Sequence, residues 1–393
     1  MAIKGTIRVS NLIATVGVVL IAVGVIWFLA YNWHAIPSAI KILNLVVATS
    51  VAFFAGWILE PNYRKIGHTM YMLTAILWTV SLYLIAQIFN VPVSFQANAN
   101  ILGLALLGTL LLAYIINSTP VLVIAGLIFE GWVWLQTTAE VIPQSTGRTS
   151  LHLLIINQLG VTGILFGLAL LHRGLKIPDF ARVYIWWAAF SFLYLAFELT
   201  HQTSQYRVPA IWALGASTIL PRLGIAVLFI VGGVFLSLRR GAVSKSYVRA
   251  GLIAWLSYVA AVGMLPSLIV VQRGVNFVQW PQYNPQPFWQ MTTPFIVQWL
   301  LFNGMFILLV LLVLTFAMRE RHAALMHLGI WFFMLYLLVR YIGFILDLRG
   351  YLAISMLFIL GGIGLILLAV SYAFLHRRTL RRLVTERDSA TNV

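Results

Sequence analysis

The sequence predicts an all-α integral membrane protein of about twelve transmembrane helices with no soluble domain. Three observations predict this. Apolar side chains make up 62% of the chain, and Asp, Glu, Lys and Arg only 9%. A soluble domain carries about 25% charged residues, so a water-soluble core of 393 residues would lack its charged shell. Apolar windows of about 18 residues or more recur from end to end, the length at which a helix crosses roughly 30 Å of hydrocarbon. Finally, the cations segregate by side once the spans are counted off.

The elements follow in order. A basic arm, 1–10, precedes a first span at 11–32. That run is too long for the apolar core of a signal peptide and lacks a small-residue cleavage site, so it reads as a retained helix. The stretch "AYNWHAIPSAIK" at 30–41 then forms the first external turn. Tyr31 and Trp33 suit headgroup depth, Pro37 suits the first turn of the next helix, and Lys41 can snorkel outward. Further spans are expected at 38–59, 69–89, 98–116, 119–136, 151–171, 181–199, 221–238, 250–271, 294–318, 323–346 and 351–375. The tight turns within 98–116/119–136 and 323–346/351–375 predict two antiparallel hairpins. The long segments 200–220 and 272–293 are rich in aromatic and polar residues and read as external interfacial loops. The bundle thus occupies 11–375. A tail, 376–393, begins basic, as suits anionic headgroups, and ends polar.

With the N-terminus placed in the cytoplasm, 18 of the 25 Lys and Arg residues fall on the cytoplasmic side and 7 on the other. The positive-inside bias therefore predicts a bacterial cytoplasmic membrane protein with both termini in the cytoplasm. It also accounts for the net charge of +16 without nucleic acid as a partner. The chain has no cysteine, which excludes disulfide and thiol chemistry. The sequence contains no HExxH, no GxSxG and no phosphate-cradling glycine loop, so no metal or cofactor is expected and no catalytic residue is assigned.

Polar groups within hydrocarbon are costly and face bundle interiors or water-filled cavities. Glu130, Asn157, Arg340, Asn44 and Asn303 fall roughly 9 to 14 Å below the outer face at 1.5 Å per residue. Lys41, Gln87, His152 and Glu198 lie nearer that face, and the inner half offers little comparable beyond Thr109 and Thr315. This pattern predicts an outward-facing polar vestibule floored by Glu130, with Arg340 as its candidate counter-ion. Neutral burial and ligand or proton binding are the alternatives at Glu130. His201, Arg207 and Arg273 on the external segments form a candidate rim. Gly160, Gly163 and Gly167, and again Gly361, Gly362 and Gly364, make small-residue faces for close helix packing within the chain or between subunits.

The stretches "AYNWHAIPSAIK" and "LYLIAQIFNVP" (82–92) resemble the start of the bacterial predicted-membrane-protein family called domain of unknown function 2157. "HLGIWFFMLYLLVRYIGFILDL" (327–348) and "LGGIGLILLAVSYAFLHRRTLRR" (360–382) resemble its closing hairpin. The resemblance implies a fold rather than an activity. It singles out Asn32, Trp33, Lys41, Gln87, Arg340 and Tyr341 as matching positions, most of them in or beside the outer polar layer.

Three function classes follow. The first is a transporter-like protein that binds a small solute, ion or lipid headgroup in the vestibule. The second is a non-catalytic accessory or scaffold subunit, with membrane lipids and another membrane protein or a second copy as partners. The third is an enzyme acting on a lipid-linked substrate at the outer face through His201, Arg207 and Arg273. The absence of catalytic motifs weighs against the third.

Overall fold

The computed structural model describes residues 36–141, 148–205, 216–241, 245–269 and 293–348 and, singly, Leu20, Gly24, Trp27 and Tyr31. These contain ten long helices: α1 (Ser38–Leu59), α2 (Arg64–Ile88), α3 (Phe95–Ile115), α4 (Thr119–Val141), α5 (Arg148–Gly174), α6 (Pro178–Gln205), α7 (Ala216–Arg239), α8 (Lys245–Ile269), α9 (Thr293–Arg319) and α10 (Ala323–Leu348). Nine are long and apolar enough to cross a membrane, and α8 holds a shorter apolar stretch, Tyr247–Val262. Ten of the twelve expected spans thus have a helix. The first span lies almost wholly outside the described residues. So do the twelfth, its hairpin with α10 and Gly361, Gly362 and Gly364, and the number twelve is therefore not established.

The hairpins are built by one local device. Asn117, Lys176 and Arg321 take the left-handed conformation, with φ of 49°, 63° and 53°. In each case the next residue's N–H reaches back five positions: Ser118 to the Ala113 carbonyl, Ile177 to His172 and His322 to Ala317, at 2.8 to 2.9 Å. This satisfies carbonyls that a helix end otherwise leaves open. A new helix starts within two residues, so α3–α4, α5–α6 and α9–α10 are tight antiparallel pairs. Asn90 ends α2 in the same way, and the side chain of Ser94 then caps α3 by accepting from the Ala97 N–H at 3.1 Å.

The helix α5 is the spine of the bundle. Its apolar window is 78% buried and that of α6 is 67%, against 17% for α1. Glycine explains how α5 gets so close to α7. A Cβ on Gly167 would strike the Phe229 and Ile230 backbone, one on Gly160 would meet the Arg222 carbonyl, and one on Gly163 would come within 2.8 Å of the Ala226 Cβ. Gly233 of α7 returns the contact against the Gly167 carbonyl. The small-residue face of α5 is therefore consumed inside the chain. Two apolar clusters flank the spine. One joins α2 to α8 around Tyr71, Leu122, Phe180 and Trp187. The other joins α5 to α10 around Leu193, Phe302, Phe306 and Tyr336. Outward, Val47, Trp57, Leu107, Leu228 and Leu308 are exposed, the apolar belt that a bilayer covers.

Candidate functional site

The antiparallel order places one set of polar side chains at the end of the bundle opposite the Asn117, Lys176 and Arg321 turns. On α4, Glu130, Thr137 and Glu140 are spaced by seven and three residues and so share a face. That face meets Asn157 and Gln158 of α5. Asn157 donates to Thr137 Oγ1 at 2.7 Å through Nδ2 and accepts from Arg222 Nε of α7 at 2.8 Å. Arg222 also donates through Nη2 to Glu140 Oε2 at 2.5 Å. One layer deeper, Gln158 Nε2 donates to Glu130 Oε2 at 3.1 Å and to Ser191 Oγ of α6 at 2.6 Å. Thr162 reaches the same Ser191 oxygen at 3.3 Å. The second carboxyl oxygen of Glu130, Oε1, is buried and has no hydrogen-bond partner among the described residues.

A separate cluster surrounds Arg340. The i,i+4 pairs Trp299–Asn303 on α9 and Tyr336–Arg340 on α10 each present one face. Arg340 Nη2 donates to Asn303 Oδ1 at 2.8 Å and to the Thr200 carbonyl of α6 at 2.5 Å. Tyr336 donates to the same Asn303 oxygen at 2.8 Å. The guanidinium carbon lies 5.4 Å from the ring centroids of both Trp299 and Tyr336, within cation–π range.

The expected Glu130–Arg340 ion pair is therefore not formed. Helix α6 separates the two. Ser191 faces the Glu130 cluster and Thr200 the Arg340 cluster; nine residues are about two and a half turns, which puts them on opposite faces and roughly 13 Å apart along the axis. Glu140 and Arg222 form an ion pair in this layer instead. Asn157 and Asn303 lie in the layer as expected. Asn44 and Gln87 do not join it, for both are exposed on α1 and α2. Lys41 and Tyr341 are half-buried at the helix flanks. The side chains of Asn32, Trp33, His152, His201, Arg207 and Arg273 lie outside the described residues.

The opposite end of the bundle also corrects an expectation, because polar pairs are dense there. His68 of α2 bonds Ser118 at 2.9 Å, and Tyr71 donates to Glu60 at 3.0 Å. Tyr114 of α3 bonds His172 Nε2 at 2.8 Å and the Tyr184 hydroxyl at 2.7 Å. The Nδ1 of His172 faces the Leu168 carbonyl at 2.8 Å. That carbonyl can only accept, so Nδ1 carries hydrogen and, in the neutral ring, Nε2 accepts from Tyr114. Arg173 pairs with Glu320 at 3.1 Å, linking the α5–α6 and α9–α10 turns, and Arg240 donates to the Gly174 carbonyl at 2.9 Å. Sequence reading passed over these groups because, apart from the Leu168 carbonyl, their partners lie on other helices or turns. Thr109 and Thr315, by contrast, make no such links among the described residues: Thr315 bonds its own helix at Leu311, and Thr109 Oγ1 is buried without a partner there.

An apolar groove of about 540 Å³ opens between α7 and α8, lined by Ile230, Val234, Phe235 and Leu252 with Arg239 at its rim. It lies away from both the Glu130 and the Arg340 clusters and has the chemistry of an acyl-chain seat.

No curated protein and no solved structure matches the chain. Its N-terminal part does match a family: residues 4–122 fit the Predicted membrane protein (DUF2157) family, as the turn and third-span stretches suggested, and the match stops short of the 327–382 hairpin.

Proposed function

We propose that this membrane protein is transporter-like and binds a proton or small cation at Glu130, reached from the outer end of the bundle. The observation that carries the reading is the buried, unpartnered Oε1 of Glu130 beside Gln158 and Ser191. An ionisable group so placed inside a span is a functional group by default. The polar pairs Thr137–Asn157 and Arg222–Glu140 lie between it and the helix ends and supply a hydrophilic approach. The cation-rich turns at the other end favour a cytoplasmic location for that end in a bacterial membrane.

The test needs no known substrate. The full chain in lipid nanodiscs is titrated with pH, then with Na⁺ and K⁺, while infrared difference spectra follow carboxyl bands. Wild type should show a carboxyl band that responds, and Glu130→Gln should lose it. Identical responses in the two proteins would remove the reading. The accessory-subunit alternative loses one support, because the α5 glycine face that would serve a second subunit already packs against α7.

A further inference from the structure

The two outer clusters differ in charge balance. Arg222 meets Glu140, Arg173 meets Glu320 and Arg182 meets Asp179. Arg340 lies within the α10 span, and no carboxylate among the described residues pairs with it. Among the described residues its hydrogen bonds run from Nη2, to one amide oxygen and one backbone carbonyl, both neutral. Guanidinium stays charged under all physiological conditions, and an uncompensated charge within a span is costly. The surroundings nevertheless hold it firmly. Asn303 is 5% exposed, Thr200 1% and Tyr336 8%, and two aromatic rings bracket the cation. Asn303 is itself fixed, for its Nδ2 donates to the Trp299 carbonyl at 2.6 Å and its Oδ1 takes both Tyr336 and Arg340. Among the described residues nothing takes the donors on Nε and Nη1, which leaves them for another group. A cation oriented this rigidly without an anion is what a site for an anion needs.

We propose that Arg340, with Trp299 and Tyr336 as its walls and Asn303 as its positioning residue, binds an oxyanion of the phosphate or carboxylate class at the outer end of the bundle. The site lies on the face of α6 opposite Ser191 and stands independently of the reading of Glu130. The oxyanion has two possible sources, a lipid headgroup at that depth or a free anion from the external medium, and both present the same oxygens.

The experiment uses the full chain and two arms. In the first, protein equilibrated with mixed phosphatidylcholine–phosphatidylglycerol vesicles is examined by native mass spectrometry. In the second, protein in phosphatidylcholine nanodiscs is titrated with inorganic phosphate and with acetate while thermal unfolding is followed. One retained phosphatidylglycerol in wild type, reduced at least about tenfold in Arg340→Gln, identifies the headgroup. Stabilisation by phosphate or acetate in wild type and not in Arg340→Gln identifies the free anion. Arg340→Lys, which keeps the charge and loses the planar donor set, should weaken either effect less. Should Arg340→Gln fail to fold, phenylglyoxal modification of wild type decides: phosphatidylglycerol or phosphate should slow labelling of Arg340 and leave the exposed Arg182 unchanged. No selective lipid, no anion-dependent stabilisation and unchanged labelling would together overturn the proposal.

Discussion

At the scale of single residues, the membrane interior rewards polar groups that find one another. Arg222 shows this most directly, because it joins three helices through Glu140 and Asn157. Arg222→Gln should lower stability by about 1–2 kcal/mol, a value kept small because both members of the pair are 26% and 31% exposed. A double-mutant cycle with Glu140→Gln should show coupling, and additive losses would mean the pair contributes nothing. Gln158→Leu should leave Glu130 without its amide donor and shift the Glu130 carboxyl band in the infrared titration. The sequence exposed half of this chemistry. Glu130, Asn157, Asn303 and Arg340 were visible because a lone polar residue in an apolar run stands out. Their partners were not. Gln158 sits beside Asn157 with nothing to distinguish it, Ser191 is a small residue common in spans, and Glu140 and Arg222 fall at helix ends where charge is ordinary. Which groups meet depends on helix rotation, and a one-dimensional pattern does not contain it.

At the scale of elements, hydropathy located the helices and misjudged some ends. The helix α4 runs to Val141, beyond the expected end at 136, because Thr137 and Glu140 have partners on α5 and α7 that make a polar last turn favourable. The turns carry their own strain. Lys176 is a side-chain-bearing residue in left-handed backbone, at about 1–2 kcal/mol relative to glycine. Lys176→Gly should therefore raise stability by up to about 1 kcal/mol after the entropy gained by the unfolded chain, read as a higher Tm. The third turn has a titratable cap. His322 Nδ1 accepts the Leu325 N–H at 3.2 Å, which only the neutral ring can do. Burial, with the nearby Arg182 and Arg173 adding to it, holds this histidine below its ordinary value. A depressed folded value means the contribution is present above the ordinary histidine pKa of about 6.5 and is lost as pH falls through the folded value. Wild type should lose stability on acidification through that window, and His322→Asn, which caps without titrating, should lose less. On α5, Gly167→Val should be the most damaging substitution of its length, because the added carbons meet backbone that cannot turn aside. A loss of at least about 2–3 kcal/mol or failure to assemble is expected, whereas Gly232→Ala, with open space around it, should be near neutral.

At the scale of the whole molecule, alternation of charge between loops predicts one orientation for every helix at once. The absence of native cysteine makes the orientation directly testable. Single cysteines at Asn117, Lys176 and Arg321 should react with an impermeant thiol reagent only after the cells are opened, and a cysteine at Asn90 should react in intact cells. Reaction of all four in intact cells would disprove the orientation. The seam between α5 and α7 has a mechanical meaning as well. Side chains act as lubricant between helices, since they can change rotamer and let one helix slip along another. Gly167 and Gly233 have none to offer, and there peptide groups abut peptide groups. Such a joint is a weld rather than a bearing. Any large motion of this protein must carry α5 and α7 as one rigid beam, with the flexing confined to seams padded by leucine and phenylalanine.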